Sequence, residues 1–240
     1  MTKLPISFLF CLSLTLFLFS CEEEDLVNPE LSFVYDFDSG TEGWIGEFAD
    51  YPNDDGVEDF YQLAFAHANL PEPLNTNDGA LRQSGSNRSD DLFMFVKRKL
   101  TGLEPNQEYT LDIAIEIATD AASGAVGIGG APGESVFLKA GATSIEPMKV
   151  LDNTDNHFRM NIDKGNQSKD GRDMKNIGDY ANGTADFIFT LKSLQTADPL
   201  SVTSNSDGEI WLILGTDSGF EGTTTIYYNW IKFDLERANN

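Results

Sequence analysis

The sequence predicts an all-β protein, two stacked antiparallel sheets in a single domain, and three observations carry that expectation. Past residue 30, apolar residues recur with a period of two rather than 3.6. The alternating runs are short and are broken by Gly, Asn, Asp and Pro, which mark turns; the 240 residues include 21 glycines and 9 prolines. Finally, the runs, about nine or ten of them, follow one another without helical crossovers, so their apolar faces have to be buried sheet against sheet.

The strands can be placed in order. Phe33-Val-Tyr-Asp-Phe-Asp38 sets Phe33, Tyr35 and Phe37 on one face and ends in a glycine turn before Trp44. Phe60 to Ala68 and Leu92 to Lys99 follow. The clearest strand is 109–119, with Tyr109, Leu111, Ile113, Ile115 and Ile117 facing inward and Thr110, Asp112 and Glu116 outward. Ser135 to Lys139 and Phe158 to Ile162 lie within a long irregular insertion predicted over about 120–183. Ala185 to Lys192 and Glu209 to Gly215 lead to the closing run, 223–235. Read with strict alternation, that run points Tyr227, Asn229, Ile231, Phe233 and Leu235 inward, and Tyr228, Trp230, Lys232 and Asp234 outward. Trp44 and Trp211 are expected in the core.

Residues 1–20 read as a signal peptide: Lys3 precedes an apolar run from Leu4 to Phe19 that is shorter than the roughly 20 residues a membrane span needs. Leu18-Phe19-Ser20-Cys21 resembles the lipobox of bacterial lipoproteins. The resemblance implies cleavage before Cys21 and acylation of its thiol and new amino group, palmitate included, which would anchor the protein on a membrane. Glu22-Glu23-Glu24-Asp25 resembles the export signal of Bacteroidota surface lipoproteins, implying the outer membrane and its outer face; the alternative is a solvated spacer. Residues 21–30 then form an acidic tether and residues 31–240 the sandwich domain. With Cys11 in the leader and Cys21 at the lipid site, no internal disulfide is expected. The net charge of −23 at pH 7 excludes nucleic acid as a partner, because phosphate recognition needs clustered cations.

Three stretches resemble carbohydrate-binding-module-like jelly rolls: the opening 33–44, the 100–111 entry Leu-Thr-Gly-Leu-Glu-Pro-Asn-Gln-Glu-Tyr-Thr-Leu, and the closing Ile226-Tyr-Tyr-Asn-Trp-Ile-Lys-Phe233. The resemblance implies a jelly-roll-like antiparallel β-sandwich. It also implies a structural calcium where the first and last strands meet, with Asp36, Asp38 and Asn229 as candidate ligands; Asn229 stands where the terminal strand usually offers Asp.

Flat aromatic rings flanked by polar groups suit sugar faces, which makes Trp230, Tyr228, Lys232 and Asp234 the candidate ligand-binding set and a polysaccharide the candidate ligand. For catalysis there is no H-E-x-x-H and no G-x-S-x-G. His157 and Arg159, on one face of a strand, are the remaining candidates for a polysaccharide lyase or hydrolase. The sequence therefore reads as a binding protein, with an enzyme on the same fold, or a non-catalytic envelope interaction protein, as alternatives.

Overall fold

A computed structural model describes residues 31–89 and 91–238; the expectations for residues 1–30, Cys21 among them, fall outside this range. The chain forms β1 (Leu31–Tyr35), β2 (Ile45–Ala49), β3 (Tyr51–Pro52), the short helix α1 (Val57–Phe60), β4 (Ala64–Asn69), β5 (Gly79–Ser86), β6 (Leu92–Leu100) and β7 (Glu108–Thr119). Then come β8 (Val136–Thr143), β9 (Lys149–Asp152), β10 (His157–Met160), β11 (Met174–Asp179), β12 (Thr190–Gln195), β13 (Leu200–Thr203), β14 (Ile210–Ser218) and β15 (Thr223–Arg237).

Two antiparallel sheets face one another, as the alternation predicts. One has seven strands, in the order β12-β7-β15-β5-β4, with β1 also on β15 and β13 also on β7. The other has five, β11-β8-β14-β6-β2. Between them lie Leu111, Ile113, Ile115 and Ile117 of β7 and Ile231, Phe233 and Leu235 of β15, against Val96, Leu138, Leu212 and Leu214 of the five-stranded sheet. The expected pairing of the opening and closing strands is present, with Leu31 opposite Leu235 and Tyr35 opposite Ile231. Trp44 is buried and stacks on Phe233 at 6.0 Å between ring centroids.

Two expectations are corrected. Residues 120–183 are not one insertion: β8 pairs with β14 from Val136 to Thr143 at the centre of the five-stranded sheet, and β11 continues that sheet. Only the stretch between them, 144–173, leaves the sandwich, and its β9 and β10 join β3 in a small three-stranded sheet. The run expected at Ser135 to Lys139 is the first half of β8, whose second half, Ala140-Gly-Ala-Thr143, lacks large apolar residues.

The second correction concerns Tyr228. The register between β15 and β7 shifts between Tyr228 and Trp230, so that Tyr228 faces Ile117 while Trp230 faces Glu116. Asn229 is the extra residue of a β-bulge, and a bulge reverses the parity of every side chain on one side of it. Tyr228 is therefore fully buried in the core, Tyr227 lies on the outer face opposite Ala118 and Arg82, and Trp230, Lys232 and Asp234 stay outside as predicted.

Candidate functional site

The outer face of the seven-stranded sheet is covered at one end, where Leu70, Ala80 and Ala118 are buried with Leu74, Phe189 and Tyr227, and is partly exposed on the other side of the bulge. Trp230 is half-buried there, and its indole N–H donates to Glu116 Oε1 at 3.1 Å; the Asn229 amide donates to the same oxygen at 2.8 Å. One carboxylate thus fixes both the ring and the bulge. Two residues along, Lys232 Nζ bonds Asp234 Oδ2 at 2.6 Å, and Ser32 of β1 donates to Asp234 Oδ1 at 2.6 Å. Burial pushes the Asp234 carboxyl up, but the bonds from Lys232 and Ser32 outweigh it and hold the group below its ordinary value. Lys232 and Asp234 border a depression of about 330 Å³ whose other walls are Asp112, Ala114, Gln195 and Thr196. On the far side of the bulge Tyr227 meets Phe189 edge-on at 5.5 Å. The partly exposed part of the face thus carries a ring with a fixed orientation, a cation and several acceptors. Of the four predicted binding residues, three share this face; Tyr228 does not, and Tyr227 takes its place.

The outer face of the five-stranded sheet is covered by 144–173. Phe93, Phe95 and Ile213 on that face pack with Met174, Ile162 and Met160 as a second, smaller core. Charged residues are buried with them. Lys97, 1% exposed, pairs with Glu47 at 2.7 Å and Glu146 at 2.9 Å. Lys139, also buried, gives its ammonium to the Lys164 carbonyl at 3.0 Å and to the Lys169 carbonyl, and burial lowers its basicity.

At one end of this covered face three carboxylates converge. Asp217 sits on β14 in register with Phe93, Asp91 immediately precedes β6, and Asp50 occupies a left-handed turn (φ 60°) between β2 and β3, a conformation that Asp tolerates better than most residues. One oxygen from each lies within 4.8 Å of the others. Lys164 Nζ reaches Asp50 Oδ2 at 3.0 Å and Asp217 Oδ2 at 2.7 Å. Burial works against its charge, but Asp217, Asp50 and Asp91 outweigh that and raise its basicity. Arg159 stands further off, 3.5 Å from Asp50 Oδ1 and 3.9 Å from Asp91 Oδ2. Burial, and then repulsion from Asp50 and Asp217, push the Asp91 carboxyl up to about 7.

The remaining predicted residues are dispersed. His157 is half-exposed at the start of β10, with Nδ1 2.8 Å from the Asp155 carbonyl. Arg159 bonds Asp155 Oδ2 at 2.7 Å and reaches toward the aspartate cluster, so both candidates are engaged with Asp155. Asp36 Oδ1 accepts the Asp38 N–H at 3.1 Å, Asp38 Oδ1 accepts the Gly79 N–H at 3.1 Å, and Asn229 is turned to Glu116. Each of the three has a local hydrogen-bond partner. Trp211 is not core: it is half-buried on the outer face of β14, with Lys97 and Lys99 Nζ at 5.6 and 5.4 Å from its ring. The sequence reading overlooked Asp50, Asp91, Asp217 and Lys164. A signal was present in Lys97, Lys139 and Asp217, charged residues within otherwise apolar strands, which imply that something covers them.

No known family's sequence profile matches the chain, and no curated protein matches it. Among solved structures it is similar to a carbohydrate-binding module of the β-sandwich superfamily (11% identity, 89% of this chain and 64% of that one, TM-score 0.38). It is also similar to the CBM22-1 xylan-binding domain of Paenibacillus barcinonensis Xyn10C (10% identity, 86% and 95% covered, TM-score 0.39). A third is the K1 cleaved adhesin domain of Lys-gingipain from Porphyromonas gingivalis (12% identity, 88% and 99% covered, TM-score 0.38). The chain spans under two thirds of the first of these. Likenesses this distant carry no ligand and no site across.

Proposed function

We propose that this protein is a glycan-binding lipoprotein of the cell surface, acylated at Cys21 and held at the outer membrane, whose sandwich binds a polysaccharide on the open face of the seven-stranded sheet. The observation that supports it most is Trp230: a partly exposed indole on the exposed part of that sheet face, locked by Glu116 and flanked by Lys232 and Asp234. A ring held in one orientation offers a sugar face an apolar surface at little entropic cost, and the neighbouring polar groups meet hydroxyls. His157 and Arg159, by contrast, are already engaged with Asp155, which leaves the lyase or hydrolase alternative without an assembled site.

Affinity electrophoresis through a panel of polysaccharides tests the binding. At least one polymer should retard the protein, and Trp230→Ala should remove most of the retardation while the melting temperature changes little. Release of unsaturated uronates or reducing ends would favour the enzyme instead; no retardation by any polymer would end the glycan reading. For the anchor, Cys21→Ala should shift the protein from the membrane fraction to the soluble fraction and abolish palmitate labelling.

A further inference from the structure

The aspartate cluster over the five-stranded sheet has no role in glycan binding on the opposite face, and its hydrogen bonding is incomplete. Asp217 Oδ2 accepts from Lys164 Nζ at 2.7 Å and from the Gln167 N–H at 2.8 Å, whereas Asp50 Oδ2, 3.0 Å from the same ammonium, is ion-paired but has no hydrogen bond. Asp217 Oδ1 and Asp91 Oδ1 are buried and have no hydrogen-bond partner, and Asp217 as a whole has no solvent exposure. The Asp91 and Asp217 carboxylates repel one another, and neither can donate to the other while both are ionised. Buried acceptors facing each other without a donor are costly, and something positive between them would remove the cost.

We propose that Asp50, Asp91 and Asp217 form a binding site for a divalent metal ion, calcium in preference to magnesium. The three oxygens come from separate parts of the fold, the β2–β3 turn, the residue before β6 and the outer face of β14, and all lie within 4.8 Å of one another. Calcium, which takes six to eight oxygens at about 2.3–2.6 Å in flexible geometry, suits three carboxylates from an irregular site completed by water, whereas magnesium, at about 2.1 Å, demands a near-regular octahedron. The charges permit it. Lys164 and Arg159 offset two of the three negative charges, while Lys139 behind them has committed its ammonium to two carbonyls. A shallow opening lined by Asp50, Asp91, Lys164 and Asn166 gives entry from solvent and room for water to complete the coordination. With Lys164 so close, affinity in the range of extracellular calcium modules, about 0.1–1 mM, is expected. Such an ion would tie the β2–β3 turn and the start of β6 to β14, the central strand of the five-stranded sheet, at the point where Lys164 and Arg159 of the covering segment meet the same aspartates.

The test is calcium chloride titration of the whole protein, followed by calorimetry and thermal melting at neutral pH, in wild type and in Asp91→Asn. Asp91→Asn keeps the shape of the least buried of the three residues. One calcium per chain should bind and raise the melting temperature by several degrees, magnesium should do less, and both effects should vanish in Asp91→Asn. Equal stabilisation of wild type and Asp91→Asn would overturn the proposal, because the ion would then bind elsewhere on this acidic chain, Asp36 and Asp38 included. Absence of any calcium effect, with Asp91→Asn simply more stable than wild type at neutral pH, would also overturn it and assign the pair a proton instead. If Asp91→Asn fails to fold, anomalous diffraction from wild-type crystals grown with calcium decides: a peak within bonding distance of all three carboxylates is expected, and its absence refutes the site.

Discussion

The two outer faces of the sandwich start from the same strand alternation and end as opposite environments. On the seven-stranded sheet the outward positions of β7 and β15, among them Glu116, Trp230, Lys232 and Asp234, remain partly exposed and bond to one another at the surface. On the five-stranded sheet the outward positions of β6, β8 and β14 include Phe93, Phe95, Lys97, Lys139, Ile213 and Asp217, all buried beneath 144–173. Polar residues on the first face cost little because water still reaches them. Charged residues on the second are tolerated only because the covering segment brings Glu146, Lys164 and backbone carbonyls to meet them. One face is thus free to recognise something else, while the other spends its chemistry on holding its cover in place.

The largest expected effect is on the covered face. Phe93 is fully buried and stacks on Phe95 at 5.4 Å, so Phe93→Ala should cost about 3–5 kcal/mol in urea unfolding. Polysaccharide retardation of the protein that stays folded should be unchanged. A loss of retardation equal to that of Trp230→Ala would mean that the faces are not independent.

A matched pair of lysine substitutions sharpens the contrast. Lys164→Met removes the cation between two buried aspartates and should destabilise the protein by roughly 3–5 kcal/mol, since two buried carboxylates lose their nearest positive charge. Lys232→Met removes a shorter ion pair, 2.6 Å to Asp234, whose lysine is 41% exposed, and should cost under about 1 kcal/mol. Comparable losses from the two, measured by the same denaturation, would show that burial does not separate these faces energetically.

How much of this was legible in the sequence follows from the same contrast. The β7 strand declared itself because Tyr109, Leu111, Ile113, Ile115 and Ile117 alternate without interruption and one side stays polar. By contrast, β5, 79–86, was missed although it pairs directly with β15, because Gly-Ala-Leu-Arg-Gln-Ser-Gly-Ser lacks β-branched and aromatic residues. Its role is set by what packs around it. The bulge at Asn229 was also invisible, since one extra residue leaves no compositional mark, yet it decides that Tyr228 is core and Tyr227 is surface. The aspartate cluster joins residues 50, 91, 164 and 217, which only the tertiary fold assembles. The Tyr228 hydroxyl is buried without a partner, so Tyr228→Phe should stabilise the protein by about 1 kcal/mol, read as a higher melting temperature. A destabilised variant would indicate that the hydroxyl is satisfied and the ring is not placed as described.

The smallest effect belongs to Asp234 on the open face. Its carboxyl is held below the ordinary carboxylate range, burial opposing and Lys232 and Ser32 prevailing, so its folded value is the lower of folded and unfolded. A group of that kind contributes stability that is present above the unfolded value, about 3.9, and is lost as pH falls through the folded value. Asp234→Asn should therefore lower stability by a few tenths of a kcal/mol near neutral pH, where the exposed pair is screened, and by nothing once both folded and unfolded carboxyls are protonated. Urea midpoints for the two proteins should converge on acidification. Because the same substitution removes an acceptor from the rim of the Asp112–Gln195 depression, it should also weaken polysaccharide retardation at neutral pH. A stability difference that persists unchanged at low pH would assign the loss to packing rather than to the ion pair, and the open face would then owe its order to shape rather than to charge.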